Sequence, residues 1–429
     1  MKRLWSVLFW SVIAAAFIGP GTVTTAASAG AGFRYSLLWA LAFSTLACLL
    51  LQEACARLTV VSGRDLGEAL RLQYSGLARL AVSASVLVAI VLGCAAYQAG
   101  NILGGVAGAE LGSGLSTGLL TLASGVGAAL LLYLGAPRAV ARLLSILVAV
   151  MGLAFVVTAW RLGPAPADLL AGTLVPTIPG GSGLLILGLV GTTVVPYNLF
   201  LGSALARGQS LSELRFGLTI AVVLGGIVSM GIVVVGAEVR GPFGFEALAE
   251  VLGTRLGGWA PSLFAAGLFA AGFSSAVTAP LAAAVTARSL APRGEGWGDR
   301  SRRFRAVWLG VLAVGVGFGL AGVRPVPAIL IAQAFNGVLL PLVAIFLLLA
   351  VNDRPLMGRR GINRPLANVM LGAVVAVTVV LGVTSVTKAL AGALEFALPG
   401  ERTLLSISLG LTLLIAWPVG RSLRRRRSA

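Results

Sequence analysis

The chain has no histidine, and only 11% of its 429 residues are charged. Soluble globular domains carry about 25% charged residues. Too little polar surface is left to wet soluble domains of this length, which excludes a soluble enzyme, a nucleic-acid reader and a disordered protein. Cysteine is scarce too. Cys48, Cys55 and Cys94 all lie in apolar runs, at spacings that suit neither a disulfide framework nor a zinc site. Without histidine or a cysteine cluster, zinc, haem and copper sites are disfavoured. No phosphate-binding glycine loop of the ATP-binding kind and no nucleophile–base pair is visible, so neither ATP hydrolysis nor other enzyme chemistry is expected.

What is present is hydrophobicity, at 58% of residues. A bilayer core needs about 20 apolar residues per helix. Twelve segments qualify: 4–31, 36–56, 80–107, 115–134, 139–160, 183–206, 216–236, 260–287, 306–322, 327–351, 366–387 and 403–420. The largest breaks between them fall at 161–182, 237–259 and 288–305. The fold expected is an all-α polytopic membrane protein, with the lipid bilayer as its first partner.

The net charge of +18, 32 basic against 14 acidic residues, is a topology signal. Twelve spans put both termini on one side. With that side cytoplasmic, the inner segments hold 25 Lys/Arg and the outer loops 7, which follows the positive-inside rule. The arginine-rich, Gly/Ala-rich composition suits a bacterial inner membrane. The tail 421–429, with Arg424–Arg427, is expected to be a basic cytoplasmic anchor on anionic lipid, with no nucleic-acid role. The first segment has a second reading as a cleaved leader, because Lys2 and Arg3 precede an apolar run ending near Ala14–Ala16. Cleavage there would leave eleven spans and scramble the charge bias.

Two spans are interrupted. The first contains Ile18-Gly19-Pro20-Gly21-Thr22 and the sixth Val194-Val195-Pro196-Tyr197-Asn198. Proline removes a helix hydrogen bond and glycine loosens the backbone. The two prolines stand 176 residues, or five spans, apart. Gly/Pro interruptions at matching positions of two five-helix halves point to an inverted-repeat transporter, whose unwound segments face the substrate near the midplane. Two plain proline kinks, which membrane helices tolerate, are the other reading of the same residues. On the first reading the chain divides into a five-helix repeat at 1–160, a second at 183–351, two additional helices at 366–420 and the tail.

Several blocks then carry a family likeness. Tyr35-Ser36-Leu37-Leu38-Trp39, Val61-Ser62-Gly63-Arg64-Asp65-Leu66, the segment around Pro196 and Asn198, Gly267–Gly272 with Ser274-Ser275, Leu340-Pro341, and Asp353-Arg354 with Asn363 occur in matching order and spacing. On these blocks the chain resembles the Nramp family of divalent-metal transporters, which have the LeuT-type fold. The resemblance implies a 5+5 inverted repeat with broken helices 1 and 6, plus two extra C-terminal helices. It also implies transport of a divalent metal by alternating access.

The family's ligand positions do not match. Its helix-one break reads Asp-Pro-Gly-Asn, where this chain has Gly19-Pro20-Gly21-Thr22. Its Met-Pro-His in helix six is Val195-Pro196-Tyr197, and its second helix-six His is Gly202. Its helix-three acids align with Ala95 and Gln98, and its helix-eight Gln with Phe273. The family's backbone carbonyl ligand falls at Thr192, and its helix-ten Gln remains as Gln333. Gly19, Thr22 and Val195 thus occupy metal-ligand positions without ligand side chains.

A divalent ion must trade held water for ligands of comparable strength: carboxylates for hard ions, thioether, thiolate or imidazole for softer ones. No fixed negative charge at the breaks compensates such an ion, and burying charge is costly. The substrate site is therefore expected at Gly19, Pro20, Gly21, Thr22, Thr192, Val195, Tyr197, Asn198 and Gln333. Tyr97, Gln98, Asn101, Ser274, Ser275 and Asn336 are further pocket candidates. Glu53 is the one acid well inside a span; it is open to a coupling role or to a structural pair with Arg57 at i+4. Hydroxyls and amides suit a small neutral or zwitterionic organic solute. A manganese or hydrated magnesium ion is the alternative, and a non-transporting membrane sensor is a third reading. No cofactor is expected, and H⁺ or Na⁺ is left open as the coupling ion.

Overall fold

The structure is a computed structural model that describes residues 18–135, 138–291, 296–393 and 401–428. It is helical throughout, with no strand among the described residues. Eleven helical stretches there are long and apolar enough to cross a membrane, and they coincide with the second to twelfth expected spans. In chain order the elements begin with α1 (Pro20–Phe33), α2 (Leu38–Ser62), α3 (Leu66–Leu72), α4 (Gly76–Ser113), α5 (Thr117–Leu134) and α6 (Arg138–Leu162). There follow α7 (Pro166–Leu174), α8 (Gly183–Thr193), α9 (Pro196–Leu205), α10 (Leu211–Gly236), α11 (Phe245–Leu256) and α12 (Ala260–Leu290). The chain finishes with α13 (Arg302–Leu320), α14 (Pro325–Ala350), α15 (Arg354–Gly361), α16 (Pro365–Ala393) and α17 (Glu401–Ser428). Of the first expected span only the part from Ile18 is described; segment 4–17 and the leader pattern lie outside the described residues.

Two expectations are corrected. The breaks at 161–182 and 237–259 are not plain loops, because they hold α7 and α11; α3 and α15 likewise sit between spans. These helices are too short to span and start at local stop signals. At α3, Asp65 accepts from the Glu68 backbone N–H at 3.0 Å while the Glu68 carboxylate accepts from the Asp65 N–H at 3.3 Å, a capping box. Secondly, α4 runs 38 residues, about 57 Å at 1.5 Å per residue, well past 80–107. It stops only at Gly114, whose φ of 66° is the left-handed conformation that ends helices. The tail is part of a helix. α17 continues to Ser428, and Arg426 donates to Asp353 at 2.8 Å across the bundle. Arginines in a last helical turn suit the negative end of its dipole.

Helices approach closely where side chains are missing. A Cβ on Gly30 of α1 would lie 2.1 Å from the Val233 carbonyl of α10, and one on Gly236 2.5 Å from the Ala27 carbonyl. Lipid supplies no hydrophobic drive between helices, so close packing of small residues is what joins them.

The charge pattern maps onto the two ends of the bundle. At one end Arg57 donates to Glu53 at 3.2 Å, to the Gly361 carbonyl at 2.7 Å and to Asn363. Arg215 reaches the same Glu53 at 2.6 Å, and Arg207 reaches Glu68 at 2.8 Å. Ser289 presses on Gly67, Arg288 pairs with Asp299, and Arg305 lies 4.3 Å over the Tyr133 ring. The segments expected to be cytoplasmic are thus gathered together. At the opposite end Arg161 donates to the Arg255 carbonyl at 2.9 Å, and Arg255 stands 3.7 Å from Glu238.

Candidate functional site

The two interruptions are built by proline chemistry. α1 begins with Pro20 at its first position, where the missing N–H costs nothing, after an extended Gly19 (φ −94°, ψ 178°). The Val23 N–H donates to the Gly19 carbonyl at 3.1 Å. α8 ends at Thr193; Val194 (φ −105°, ψ 81°) and Val195 (φ −82°, ψ 119°) are non-helical, and α9 restarts at Pro196. The Thr192 carbonyl would take its helical hydrogen bond from residue 196, which as proline has no N–H to give. That leaves a backbone acceptor in the break, while the first turns of α1 and α9 present amide donors.

The breaks meet. Thr22 Oγ1 and Thr192 Oγ1 are 2.8 Å apart, hydroxyl to hydroxyl, and both residues are buried. α14 closes over this bridge. A Cβ on Gly191 would lie 2.0 Å from the Gln333 carbonyl, and one on Gly21 1.9 Å from Gln333 Nε2. The Gln333 carboxamide therefore fills the place a side chain at 21 would take, and its Oε1 is buried without a partner. The Tyr97 hydroxyl of α4 is in hydrogen-bonding reach of Thr192 and Gln333. Its ring meets Tyr197 edge to face at 5.4 Å between centroids. Ser275 Oγ stands 3.4 Å from the Cβ position of Gly19 and has no partner; neither does Asn198 Nδ2 in the first turn of α9.

So the structure brings together Gly19, Pro20, Gly21, Thr22, Tyr97, Thr192, Val195, Tyr197, Gln333 and Ser275, with Asn198 in the first turn of α9. Others are engaged in joining or filling helices. Gln98 Nε2 donates to the Ala276 carbonyl at 3.0 Å, tying α4 to α12. Asn336 Nδ2 donates to the Ala332 carbonyl of its own helix, and Ser274 Oγ to that of Ala271. Asn101 is buried, with its Nδ2 unpartnered, where its backbone carbonyl packs on Gly272. Glu53 lies at the arginine-rich end, held by Arg57 and Arg215, so the structural pair read from the i+4 spacing is present.

Two contributors escaped the sequence reading: Gly188 and Gly191. The first lets Thr25 approach α8, since its Cβ would lie 2.9 Å from Thr25 Cγ2; the second admits the α14 backbone. Their i, i+3 spacing just before the Thr-Thr-Val-Val-Pro run was the available signal.

No Asp, Glu, Lys or Arg is among the residues of the break. Among the described residues no three His, Cys, Asp or Glu are grouped so as to hold a metal ion. The donors and acceptors offered are hydroxyls, carboxamides and backbone groups.

An all-α membrane protein in which a helix starting at the buried Pro20 faces a span broken at the buried Pro196 points to a class: the interrupted-helix, LeuT-type fold. The crystal structure of the Eremococcus coleocola manganese transporter superposes with a TM-score of 0.74 at 21% identity, covering 99% of this chain and 95% of that one. Mhp1, a nucleobase-cation-symport-1 family transporter with bromovinylhydantoin bound, superposes with a TM-score of 0.56 at 16% identity, covering 99% and 95%. The family model for natural resistance-associated macrophage protein-like (Nramp) proteins matches residues 11–388, and the chain belongs to that family. Among curated relatives, the divalent metal cation transporter MntH of Verminephrobacter eiseniae is 30% identical over 294 residues, 63% of this chain and 65% of that protein. The metal transporter Nramp4 of Arabidopsis thaliana is 31% identical over 311 residues, 65% and 58% respectively. The matched part is thus less than two thirds of the length of either relative.

Proposed function

We propose that this Nramp-family chain is a secondary transporter working by alternating access, and that its cargo is a small neutral or zwitterionic organic solute. The observation that carries this reading is the meeting point of the two breaks. It offers hydroxyls, carboxamides and backbone groups, several with unpartnered atoms, and no carboxylate, thioether or imidazole. Such a site forms hydrogen bonds with a polar solute but supplies no charge to replace the hydration of a dication. The sixth span provides two half-helices, α8 and α9, that can tilt separately about their break, so access can alternate while the Thr22–Thr192 contact opens and closes.

The second reading is a divalent cation, manganese or largely hydrated magnesium, as cargo of an altered site. The names of the relatives and the manganese transporter's fold favour it. On either reading the halves 1–160 and 183–351 form the inverted repeat, the arginine-rich end faces the cytoplasm of a bacterial inner membrane, and an ion gradient of H⁺ or Na⁺ supplies the drive without ATP.

The test is uptake into liposomes holding the purified chain, with manganese, magnesium and a panel of amino acids offered under pH or Na⁺ gradients. The proposal expects solute uptake that Thr22→Ala abolishes, and no manganese uptake. Manganese uptake abolished by Thr22→Ala would establish the second reading instead.

A further inference from the structure

A second polar cleft lies far from the breaks, at the arginine-rich end. It has a volume of about 220 Å³ and lies between the turn after α2, the end of α3 and the start of α15. Arg64, Gln73 and Asp353 are its chemically active walls. Asp353 is already engaged: it accepts from Arg426 at 2.8 Å and from the Leu356 backbone N–H at 3.3 Å. Arg64 is different. The residue is half-buried and lines the cleft, and its side chain has no ion-pair or hydrogen-bond partner among the described residues. Gln73 has both its amide nitrogen and its amide oxygen buried without a partner. With Asp353 neutralised by Arg426, the cleft carries one uncompensated positive charge beside an unused amide donor.

An unpaired guanidinium and a buried unused N–H are costly unless something occupies them. The chemistry that fits both is a phosphate: its oxygens accept from the planar guanidinium fork and from the carboxamide together. The surroundings favour a particular source. Leu72 forms part of the cleft wall and is 43% exposed, and just beyond it Leu77 and Leu80, at the start of α4, are 85% and 68% exposed. Acyl chains can lie along that apolar flank while a headgroup enters the cleft.

We propose that this cleft binds the phosphate of an anionic membrane lipid, held by Arg64 and Gln73. The site is independent of the transported cargo. It fastens the turn 62–73 and the start of α15 to the cytoplasmic leaflet, one contact in place of general attraction between a basic end and an acidic surface.

The test is native mass spectrometry of the full chain in neutral detergent, titrated with phosphatidylglycerol, with diacylglycerol of the same chains, and with glycerol 3-phosphate. Wild type is compared with Arg64→Gln, Gln73→Leu and the charge-matched control Arg300→Gln, an exposed residue elsewhere on the same end. Loss of one charged hydrogen-bonding partner should weaken phosphatidylglycerol binding about tenfold in Arg64→Gln. Gln73→Leu should weaken it severalfold, and Arg300→Gln should leave it unchanged. Diacylglycerol should show no dependence on Arg64. Glycerol 3-phosphate binding as tightly as the lipid, with the same Arg64 dependence, would keep the phosphate site and overturn the lipid as its source. Equal phosphatidylglycerol binding by Arg64→Gln and Arg300→Gln overturns the proposal. Should Arg64→Gln not fold, unaltered binding by Gln73→Leu does so.

Discussion

Gly21 and Gly191 touch the same residue, Gln333, and alanine at each tests different parts of the site. At Gly191 the added Cβ meets backbone: the Gln333 carbonyl at 2.0 Å and the Gly337 nitrogen at 2.6 Å. Ordinary contact begins at 3.4 Å, so α8 and α14 would have to part by about 1.4 Å. Overpacking a tight interior costs about 1–3 kcal/mol, and backbone on the receiving side puts this case at the upper limit. At Gly21 the Cβ meets the far end of a flexible side chain, Gln333 Nε2 at 1.9 Å and Cδ at 2.6 Å. Gln333 can swing away, and alanine in a helix regains about 0.5–1 kcal/mol over glycine. The net change in stability is then within about 1 kcal/mol, but the carboxamide has left the gap between the breaks. Thermal melting of the purified protein in detergent, at one fixed scan rate, separates the two. One kcal/mol is worth about 2–4 °C in a 150–250-residue domain and less in a longer chain. Gly191→Ala should therefore melt roughly 5 °C lower. Gly21→Ala should melt within about 2 °C of wild type and yet lose uptake of the native cargo. Equal melting of the two variants, or full uptake by Gly21→Ala, would refute the placement of Gln333.

Three further outcomes are expected. Thr22→Val and Thr192→Val should each cost about 1 kcal/mol, and a double-mutant cycle should return a coupling of about 1 kcal/mol between them; additive losses would mean that the 2.8 Å contact does not join the breaks. Glu53→Gln leaves Arg57 and Arg215 without their shared carboxylate and should lower stability by about 1–3 kcal/mol while the pH dependence of uptake stays as in wild type. A flattened pH profile would make Glu53 a coupling residue instead. Asp65, outside the spans, has its carboxyl raised above the ordinary 3.8, with burial as the main cause. The folded state then holds the proton more tightly than the unfolded one, so between the raised value and 3.8 a falling pH favours folding through this group. Relative to Asp65→Asn, wild type should gain melting temperature as pH falls from 7 towards 4; a relative loss would contradict the burial argument.

The second to twelfth spans and their alternation were legible because apolar length and arginine bias are strong, redundant signals. One missing helix between them would have put Arg57, Arg215 and Ser289 at different ends; instead Arg57 and Arg215 share Glu53, and Ser289 packs on Gly67 of α3. The breaks were legible because proline states its own constraint: position 196 cannot satisfy position 192. The short helices between spans were not, since α7 and α11 are only 9 and 12 residues long and sit in stretches rich in Gly, Pro and Arg. Within the site, sequence identified which helices carry polar groups but not where those groups point. Ser274 and Ser275 are adjacent, yet one turns to its own helix and the other to Gly19. A turn of about 100° per residue separates them, and nothing in the order of residues says which face meets the break.

The described helix ends indicate what the break can hold once its family carboxylate is gone. The N-termini of α1 and α9 and the C-terminus of α8 converge there. Each helix end behaves as roughly half an elementary charge, positive at an N-terminus and negative at a C-terminus. The amides at the N-termini of α1 and α9 suit a group that carries negative or partial negative charge. A carboxylate or a carbonyl oxygen satisfies them, while the Thr192 carbonyl and Gln333 Oε1 remain as acceptors for an N–H or an ammonium. Donors on one side of the break and acceptors on the other are the physical basis for the zwitterion or polar neutral solute proposed between Thr22 and Thr192.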